Sequence, residues 1–390
     1  MINYDELMVK RIMDVPPSGI RKFFDIANEM GDAISLGVGE PDFDTPWHIR
    51  EEGIYSLEKG KTFYSANAGL LELREEICNY MKRRFDLSYS PKDQTLVTVG
   101  GSEAIDLALR ILINPGDEVL IPEPCYVSYT PCTIFAGGTP VTIPTREENN
   151  FKLTPDELRQ YITPRTKILI LPYPNNPTGA IMEKEELEAI AEVLRETNII
   201  VLSDEIYGEL TYGKKHVSIA SIEGMYERTI LISGFSKSYA MTGWRLGYAL
   251  GPVPLMKLMT KMHQFAIMCA PTTSQYAAIE AMRNGDDDVA MMCESYNKRR
   301  RLMVEHFRQM GLSCFEPEGA FYVFPSIKQT GMTSDEFCET LLKEEKVAVV
   351  PGTAFGTYGE GFIRCSYAYS VEELKEALVR IERFVSKRIK

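Results

Sequence analysis

The sequence predicts an α/β fold with a large domain built on a mostly parallel central sheet, followed by a smaller α+β domain. Three observations support this prediction. Short β-branched runs alternate with helical stretches through the middle of the chain, which is typical of a parallel sheet. These runs are apolar throughout, as expected where helices cover both faces of a sheet. After about residue 290, long amphipathic helices with short strand-like pieces between them replace that pattern.

The individual elements follow from these runs in chain order. In the large domain the sequence predicts strands at 95–99, 118–121, 167–171, 199–203 and 229–233, with helices at 103–113 and 184–196. In the smaller domain it predicts helices at 294–310, 334–345 and 371–387, with strands at 320–324 and 347–350. We therefore expect residues 1–45 to pack with the smaller domain, 46–285 to form the large domain and 286–390 the smaller one.

Length and composition limit the class of protein. The 390 residues include 43 Lys or Arg and 55 Asp or Glu, a formal net charge of −12 that argues against binding to nucleic acid or an anionic membrane. No apolar stretch reaches the ~18 residues of a membrane span, and the charged N-terminal region is not typical of a signal peptide. Eight cysteines without a C-x-x-C pair, and four histidines without ligand spacing, predict a cytoplasmic protein with reduced thiols and no metal site.

Polar residues follow several predicted strands, at the sheet edge where α/β proteins bind ligands. Gly101 and Ser102 lie between a strand and a helix, which suits a phosphate but also fits an ordinary turn with a serine cap. The loop at 172–179, Pro-Tyr-Pro-Asn-Asn-Pro-Thr-Gly, presents Asn176 either as a rigid ligand contact or as part of a plain turn. Asp204 ends an apolar strand, so its carboxylate needs a partner such as a cationic ring nitrogen, although capping of the next helix explains it equally well.

The strongest segment surrounds Lys237, which directly follows an apolar strand among serines and glycines. A lone lysine is usually a solvated surface residue, but in a partly desolvated cleft it can lose its proton and form a Schiff base. Ser236 and Arg245 are suited to bind a phosphate on the same ligand. Arg364 follows an apolar pair and suits recognition of a carboxylate, with a structural ion pair as the alternative.

In this order the segments resemble the class I aminotransferases, pyridoxal-phosphate enzymes of fold type I. The most specific parts are S-K-S-Y-A-M-T-G-W-R at 236–245 and N-N-P-T-G at 175–179 followed by D-E-I-Y. The resemblance begins in I-S-L-G-V-G-E-P-D-F at 34–43 and extends to the C-terminal helix. Within the class, residues 16–25 and 319–324 look like archaeal-type aromatic aminotransferases and their aspartate-using relatives. The resemblance implies transfer of an amino group from an aromatic amino acid or aspartate to a 2-oxo acid, with 2-oxoglutarate expected.

The same resemblance gives roles at the ring of the cofactor, pyridoxal 5′-phosphate. Lys237 is the expected Schiff-base lysine, and Asp204 is expected to pair with the pyridine nitrogen. Tyr207 and Asn176 match residues that contact the phenolic oxygen. Tyr126 matches the aromatic residue that stacks on the ring.

The resemblance also assigns the phosphate and substrate contacts. The residues expected to hold the phosphate are Gly101, Ser102, Ser236 and Arg245. Tyr64 matches a tyrosine that reaches the phosphate of the neighbouring subunit's cofactor, which implies a homodimer with a shared site. Arg364 is expected to bind the substrate α-carboxylate, with Asn176 and the backbone at Gly39. Gly234 departs from relatives that carry a serine there, which removes one possible phosphate contact.

Three alternative functions compete with this one. Carbon–sulfur lyases of the same fold use the same constellation and eliminate a β-substituent. A non-catalytic pyridoxal-phosphate-sensing regulator requires a DNA-binding domain, for which a resemblance starting by about residue 16 leaves no room. A nicotinamide-dependent dehydrogenase requires a G-x-G-x-x-G fingerprint that this chain lacks. In addition, the segment around Ser18 and Ile20 is expected to close over the substrate.

Overall fold

The strands and helices of the protein are taken from a computed structural model that describes residues 2–17, 19 and 30–389. The strands are β1 (Ile34–Ser35), β2 (Thr95–Thr98), β3 (Glu118–Glu123), β4 (Thr139–Pro144), β5 (Thr166–Leu171), β6 (Ile200–Asp204), β7 (Thr229–Gly234), β8 (Gly247–Leu250), β9 (Tyr322–Val323), β10 (Val347–Ala348), β11 (Val350–Pro351) and β12 (Ile363–Ser366).

The helices in the described residues are distributed along the whole chain. They are α1 (Tyr4–Leu7), α2 (Lys10–Met13), α3 (Trp47–Glu58), α4 (Leu71–Phe85), α5 (Gly100–Leu112), α6 (Tyr129–Ala136), α7 (Pro155–Tyr161), α8 (Lys184–Arg195), α9 (Val253–Ala266), α10 (Thr272–Asn284), α11 (Asp286–Gln309), α12 (Ser334–Glu345) and α13 (Val371–Ser386). Short 3₁₀ turns lie at Glu147–Asn149, Ile219–Ser221, Tyr226–Arg228, Lys328–Thr330, Gly352–Phe355 and Thr357–Gly359.

The central feature is a seven-stranded sheet in the order β2-β8-β7-β6-β5-β3-β4. Neighbouring strands are parallel, except that β8 runs antiparallel to both β2 and β7. The carboxyl ends of the other strands therefore meet at one edge of the sheet, together with the start of β8. This edge is where ligands bind in open α/β sheets.

The strands form because their side chains are buried on both faces. Leu169, Val201 and Ile230 are completely buried, and the apolar sides of helices such as α5 and α8 cover the sheet. Burial on both faces explains the continuous apolar runs in the sequence. The predicted α/β class with a mostly parallel sheet is confirmed.

A smaller layer follows the large sheet in the chain. Strands β11, β12 and β9 form an antiparallel sheet, whose core with α11, α12 and α13 includes Phe321, Phe337 and Phe384. Strand β1 pairs in parallel with β10, so residues 34–35 join this layer. Helix α2 instead contacts α6. The domain boundaries at 45/46 and 285/286 stay a prediction.

The structure corrects several element boundaries. The helix predicted at 294–310 begins at Asp286, because the three aspartates at 286–288 form an acidic first turn that favours a helix N-terminus. The helix predicted at 103–113 begins at Gly100 and ends at Leu112. The strand predicted at 347–350 is two strands separated by Val349, and the strand predicted at 320–324 is limited to β9. Within the described part of the chain, no helix has both the length and the apolar character of a membrane span.

Candidate active site

A cavity of about 410 Å³ opens at the carboxyl edge of the large sheet, next to the small antiparallel sheet. Its volume suits a small-molecule site. The sequence-predicted residues that line it are Gly39, Gly101, Ser102, Tyr126, Asn176, Asp204, Tyr207, Ser236, Lys237, Arg245 and Arg364. Tyr64 does not line it, and Ser18 and Ile20 lie outside the described residues. Residues far apart in the chain thus converge on one pocket.

The amino end of α5 contributes free backbone N–H groups to this cavity. Its cap residue is Val99, whose side chain makes no capping hydrogen bond, while the Val99 backbone N–H donates to Glu103 Oε2 at 2.5 Å. The serine cap considered from the sequence is therefore absent from this turn. Ser102 lies in the first helical turn and faces the cavity. Uncapped N–H groups at the amino end of a thirteen-residue helix favour an anion.

Glycines allow this helix end to pack tightly against β8 and Arg245. A Cβ on Gly247 would lie 2.6 Å from the backbone of both Gly100 and Gly101. Gly100 has φ +73°, and a Cβ there would lie 2.7 Å from Arg245 Nη2. Arg245 itself has φ +52° and donates from Nη1 to Thr242 O at 3.1 Å. The guanidinium and the helix end are consequently adjacent at this side of the cavity.

Asp204 ends β6 as a buried carboxylate. Its Oδ2 accepts a hydrogen bond from Tyr129 Oη at 2.7 Å, and its Oδ1 accepts one from the Ile206 backbone N–H at 3.2 Å. Burial raises the pKa of Asp204, and these two hydrogen bonds partly oppose the rise. No helix follows, so the alternative of a helix cap is wrong. The carboxylate is instead positioned to meet a cation in the cavity.

Lys237 follows β7 in a turn and is partly buried. Its Nζ donates to Gly39 O at 2.5 Å. Burial lowers the pKa of Lys237 to about 8, and the positive charges of Arg364 and Arg245 act in the same direction while Glu40 opposes them. A large fraction of the amine is therefore neutral near pH 8, as a nucleophile or a base requires.

Arg364 lies on β12 and is buried. Its Nη1 donates to Asn176 Oδ1 at 3.0 Å, and its Nη2 donates to Gly37 O. Its Nε is buried without a hydrogen-bond partner among the described residues. No carboxylate in the described parts of the chain forms an ion pair with it, so the alternative of a structural salt bridge is not realised there. A buried guanidinium with bonding capacity left suits a carboxylate ligand.

Sequence reasoning missed four polar side chains of the cavity: Glu40, Tyr129, Thr242 and Tyr322. Tyr129 follows Tyr126 by three residues, and its ring packs edge-on against that ring at 5.6 Å. Tyr322 Oη lies 2.8 Å from Tyr207 Oη. The only signal for Tyr322 was the Gly-Ala-Phe-Tyr segment, which indicated the family and not a role.

Tyr64 lies away from the cavity and is 82% exposed. Its loop is anchored, because Asn67 Nδ2 donates to Met268 O at 2.9 Å and Gln275 Nε2 donates to Ser65 Oγ at 3.0 Å. Thr272 Oγ1 also donates to the carbonyl of residue 63 at 2.8 Å. A fixed loop thus presents this tyrosine outwards.

Comparison with known proteins agrees with this geometry. The model of the family Aminotransferase class I and II matches residues 31–381. The chain belongs to the class I and II aminotransferase family. The resemblance inferred from the motifs is thereby confirmed, and the protein is an aminotransferase of fold type I.

Individual relatives agree over nearly the full chain. The putative aminotransferase YugH of Bacillus subtilis (strain 168) is 55% identical over 96% of this chain and 97% of its own. Aspartate aminotransferase of Pyrococcus abyssi is 48% identical over 96% of this chain and 97% of its own. The crystal structure of the aromatic aminotransferase from Pyrococcus horikoshii OT3 is 46% identical and superposes with a TM-score of 0.90, covering 93% of this chain and 99% of that one.

Replacing Gly100 with alanine tests the tight approach of Arg245 to α5. We expect Gly100→Ala to weaken binding of pyridoxal phosphate, the cofactor of this family, by at least about tenfold, because the new Cβ displaces the guanidinium. Gly116→Ala is the matched control, since Gly116 also has a positive φ (+93°) but has open space around its Cβ position. The measurement is the Kd of each apoenzyme for the cofactor. Equal Kd values for the two variants would contradict the expectation.

Proposed function

We propose that the protein transfers the amino group of an aromatic L-amino acid or aspartate to a 2-oxo acid, with 2-oxoglutarate as acceptor. The proposal includes pyridoxal 5′-phosphate as the cofactor, carried by Lys237 through a Schiff base. The observation that carries it is the convergence of three groups in one cavity: an amine with a lowered pKa, a buried carboxylate and a buried guanidinium. These are the groups that amino-group transfer needs at a cofactor, as a base, a counter-charge and a substrate clamp.

The residues of the cavity fit this cofactor. The uncapped end of α5 and Arg245 provide N–H donors and a positive charge for a phosphate. Among the described residues, the buried carboxylate of Asp204 has no ionic partner, and a protonated pyridine nitrogen would offset the cost of its burial. The amine of Lys237 lines the same space, where it would bond to the aldehyde of the ligand.

Bound pyridoxal phosphate supplies an electron-accepting ring that stabilises negative charge at the Cα of the amino acid. The role of Asp204 is to stay ionised and keep a ring nitrogen protonated, and Tyr129 supports it by donating to the carboxylate. Lys237 acts as the base that takes the proton from Cα, since its lowered pKa makes the neutral amine available near neutral pH. Tyr207 and Asn176, which line the same cavity, would donate to the phenolic oxygen.

Arg364 orients the substrate in this proposal. Its guanidinium binds the α-carboxylate together with Asn176, and the backbone at Gly39 closes the other side of the cavity. Fixing the carboxylate decides which bond at Cα faces Lys237. The arrangement therefore selects removal of the Cα proton.

The lining of the cavity bears on the choice of amino donor. The cations that line it among the described residues are Lys237, Arg245 and Arg364, and the proposal already gives each a role. The remaining lining is largely aromatic and apolar, including Tyr126, Tyr322 and, among the aliphatic residues, Val38, Ile105 and Ile206. Such a lining favours an aromatic side chain. Aspartate as the amino donor is supported by the name of the Pyrococcus abyssi relative, aspartate aminotransferase.

We also propose that the active form is a homodimer in which Tyr64 serves the partner's cofactor. Exposed apolar side chains also occur in residues 47–63 and in the segment 265–268, to which the Tyr64 loop is hydrogen-bonded: Trp47, Ile54, Leu57, Phe63, Phe265 and Met268. Exposed apolar surface of this kind is typical of a protein–protein interface. The isologous contact of a two-fold dimer would let each loop reach the other subunit's site.

Removing the amine at position 237 tests the proposed base. We expect Lys237→Ala to lower turnover by at least about a thousandfold while cofactor binding persists, because Asp204 and the phosphate contacts are intact. Lys343→Ala, at a side chain 76% exposed on α12, is the matched control and should retain full activity. Single-turnover kinetics with an amino donor and the Kd of each apoenzyme for the cofactor give the two readouts. Wild-type turnover in Lys237→Ala would refute the role of the lysine.

A screen of amino donors tests the substrate class. With 2-oxoglutarate as acceptor, we expect higher kcat/KM for phenylalanine and tyrosine than for aspartate, because the aromatic and apolar lining favours an aromatic side chain of the donor. Glutamate formation is the measurement, with cystathionine as a parallel donor to detect pyruvate. Release of pyruvate without amino-group exchange would indicate a carbon–sulfur lyase instead.

Mixed dimers test the shared site. Tyr64→Ala subunits keep Lys237. When both subunits of the dimer carry this change, we expect the Kd for the cofactor to be about tenfold higher than in the wild type. Mixing them with Lys237→Ala subunits should restore tight, borohydride-fixable binding, since the partner then supplies the tyrosine. The control is a mixture with subunits that carry both substitutions, where no gain is expected. Failure of the first mixture to regain affinity would place the function of Tyr64 elsewhere.

A further inference from the structure

Two tyrosines from different layers of the molecule meet in the cavity. Tyr207 follows β6 of the large sheet, and Tyr322 begins β9 of the small sheet. Their hydroxyl oxygens are 2.8 Å apart, and both side chains are buried. The hydroxyl of Tyr207 is expected to contact the cofactor, whereas the family motifs give Tyr322 no role. The hydrogen bond between them therefore has no assigned purpose.

The direction of this hydrogen bond follows from the partners available. Each hydroxyl carries one hydrogen and can also accept. Among the described residues, Tyr207 is the hydrogen-bond partner of the Tyr322 hydroxyl. If Tyr207 donated to Tyr322, its hydrogen would point away from the ligand space. If Tyr322 donates, the hydrogen of Tyr207 is free to point at an acceptor in the cavity.

Arg364 makes Tyr322 the better donor of the two. The guanidinium carbon lies 4.4 Å from the centre of the Tyr322 ring, within the range of a cation–π contact. Burial raises the pKa of Tyr322, but the positive charge of Arg364 opposes the rise. Burial also raises the pKa of Tyr207, and there the neighbouring Tyr322 adds to the rise. A hydrogen bond donated by Tyr322 to Tyr207 agrees with the effect of Arg364 on the pKa of Tyr322 and with the effect of Tyr322 on the pKa of Tyr207.

The position of the Tyr322 hydroxyl is tightly limited. A Cβ on Gly39 would lie 2.5 Å from Tyr322 Oη, so the glycine leaves just enough room for that oxygen. The carbonyl of the same Gly39 accepts from Lys237 Nζ. Tyr322 thus has its ring against Arg364 and its hydroxyl between Gly39 and Tyr207.

We propose that Tyr322 is a positioning residue for Tyr207. Its hydroxyl donates to the oxygen of Tyr207 and so directs the hydrogen of Tyr207 at the phenolic oxygen of pyridoxal phosphate. The proposal rests on the proposed function, because it needs that cofactor in the cavity. A hydroxyl that accepts one hydrogen bond is itself a stronger donor. The pair therefore stabilises negative charge on the phenolic oxygen more than Tyr207 does alone.

This charge can be measured through the nitrogen that Lys237 contributes to its bond with the cofactor. When the negative charge on the phenolic oxygen is stabilised by other donors, the nitrogen holds its own proton less tightly, so the pKa of the nitrogen falls. The other charged or titratable groups around the pair are Arg364 over the Tyr322 ring, Tyr126 near both hydroxyls, and Lys237, whose Nζ is 6.0 Å from the Tyr207 ring centre. Substitution of Tyr322 by phenylalanine leaves all of these groups in place.

The test is a spectrophotometric pH titration of the holoenzyme. In Tyr322→Phe the phenolic oxygen loses part of this stabilisation, so the Lys237 nitrogen should hold its proton more tightly and its pKa should rise. We expect the acid dissociation constant of that nitrogen to fall about three- to tenfold, the size of one lost hydrogen bond. The decrease in this dissociation constant should be smaller in Tyr322→Phe than in Tyr207→Phe. Because Tyr322 acts through Tyr207, the double variant should titrate like Tyr207→Phe alone. KM for the amino donor should stay close to wild type, since the ring under Arg364 remains.

Tyr296→Phe is the matched control. Tyr296 is buried in the same core, with its ring 5.5 Å from Phe321, and its hydroxyl has no partner among the described residues. It does not line the cavity. We expect this variant to titrate like the wild type, and the unfolding temperature of each variant shows that the fold is retained.

Two results would overturn the proposal: an unchanged titration in Tyr322→Phe, or a double variant shifted beyond Tyr207→Phe. Failure of the underlying function is distinguishable from both. In that case the wild-type protein itself would show no cofactor absorption to titrate, whereas failure of the Tyr322 proposal leaves the wild-type titration intact.

Discussion

The site depends on two ionisable groups removed from water at the same sheet edge. Burial disfavours the charged form of both Asp204 and Lys237, raising the pKa of the first and lowering that of the second to about 8. Neither burial is offset by an ion pair with another described side chain; the hydrogen bond from Tyr129 only partly compensates Asp204. The proposed cofactor accounts for both costs at once, because a protonated ring nitrogen meets the carboxylate and an aldehyde uses the neutral amine.

The large sheet alone does not complete this arrangement. Its strands position Asp204, Lys237 and the end of α5, because parallel strands end at one edge. Arg364 and Tyr322 come from the small antiparallel sheet, and they reach the same cavity from the opposite side. Any shift between the two layers therefore changes the distance between the groups proposed to hold the cofactor and those proposed to hold the substrate.

The sequence was informative where chemistry and local pattern coincide. Buried parallel strands leave apolar runs, so the sequence predicts the strand that ends at Asp204 and the strand that precedes Lys237 to within one or two residues. Strand β8 was missed, because four residues that include Gly247 carry little periodic signal. Tyr129 and Tyr322 were also missed. Their roles rest on contacts across 75 and 115 residues, respectively, and such contacts exist only in the folded chain.

Gly234 shows how one departure from the family pattern fits the local packing. A Cβ at this position would lie 3.0 Å from Gly247 Cα and 3.1 Å from Leu246 O, tighter than ordinary van der Waals contact. A serine here would therefore require β7 and β8 to separate slightly. The same β8 supports Gly100 and Gly101 through Gly247, so separation would also move the end of α5. In this chain, the glycine at 234 is thus compatible with the close packing of β8 against the end of α5.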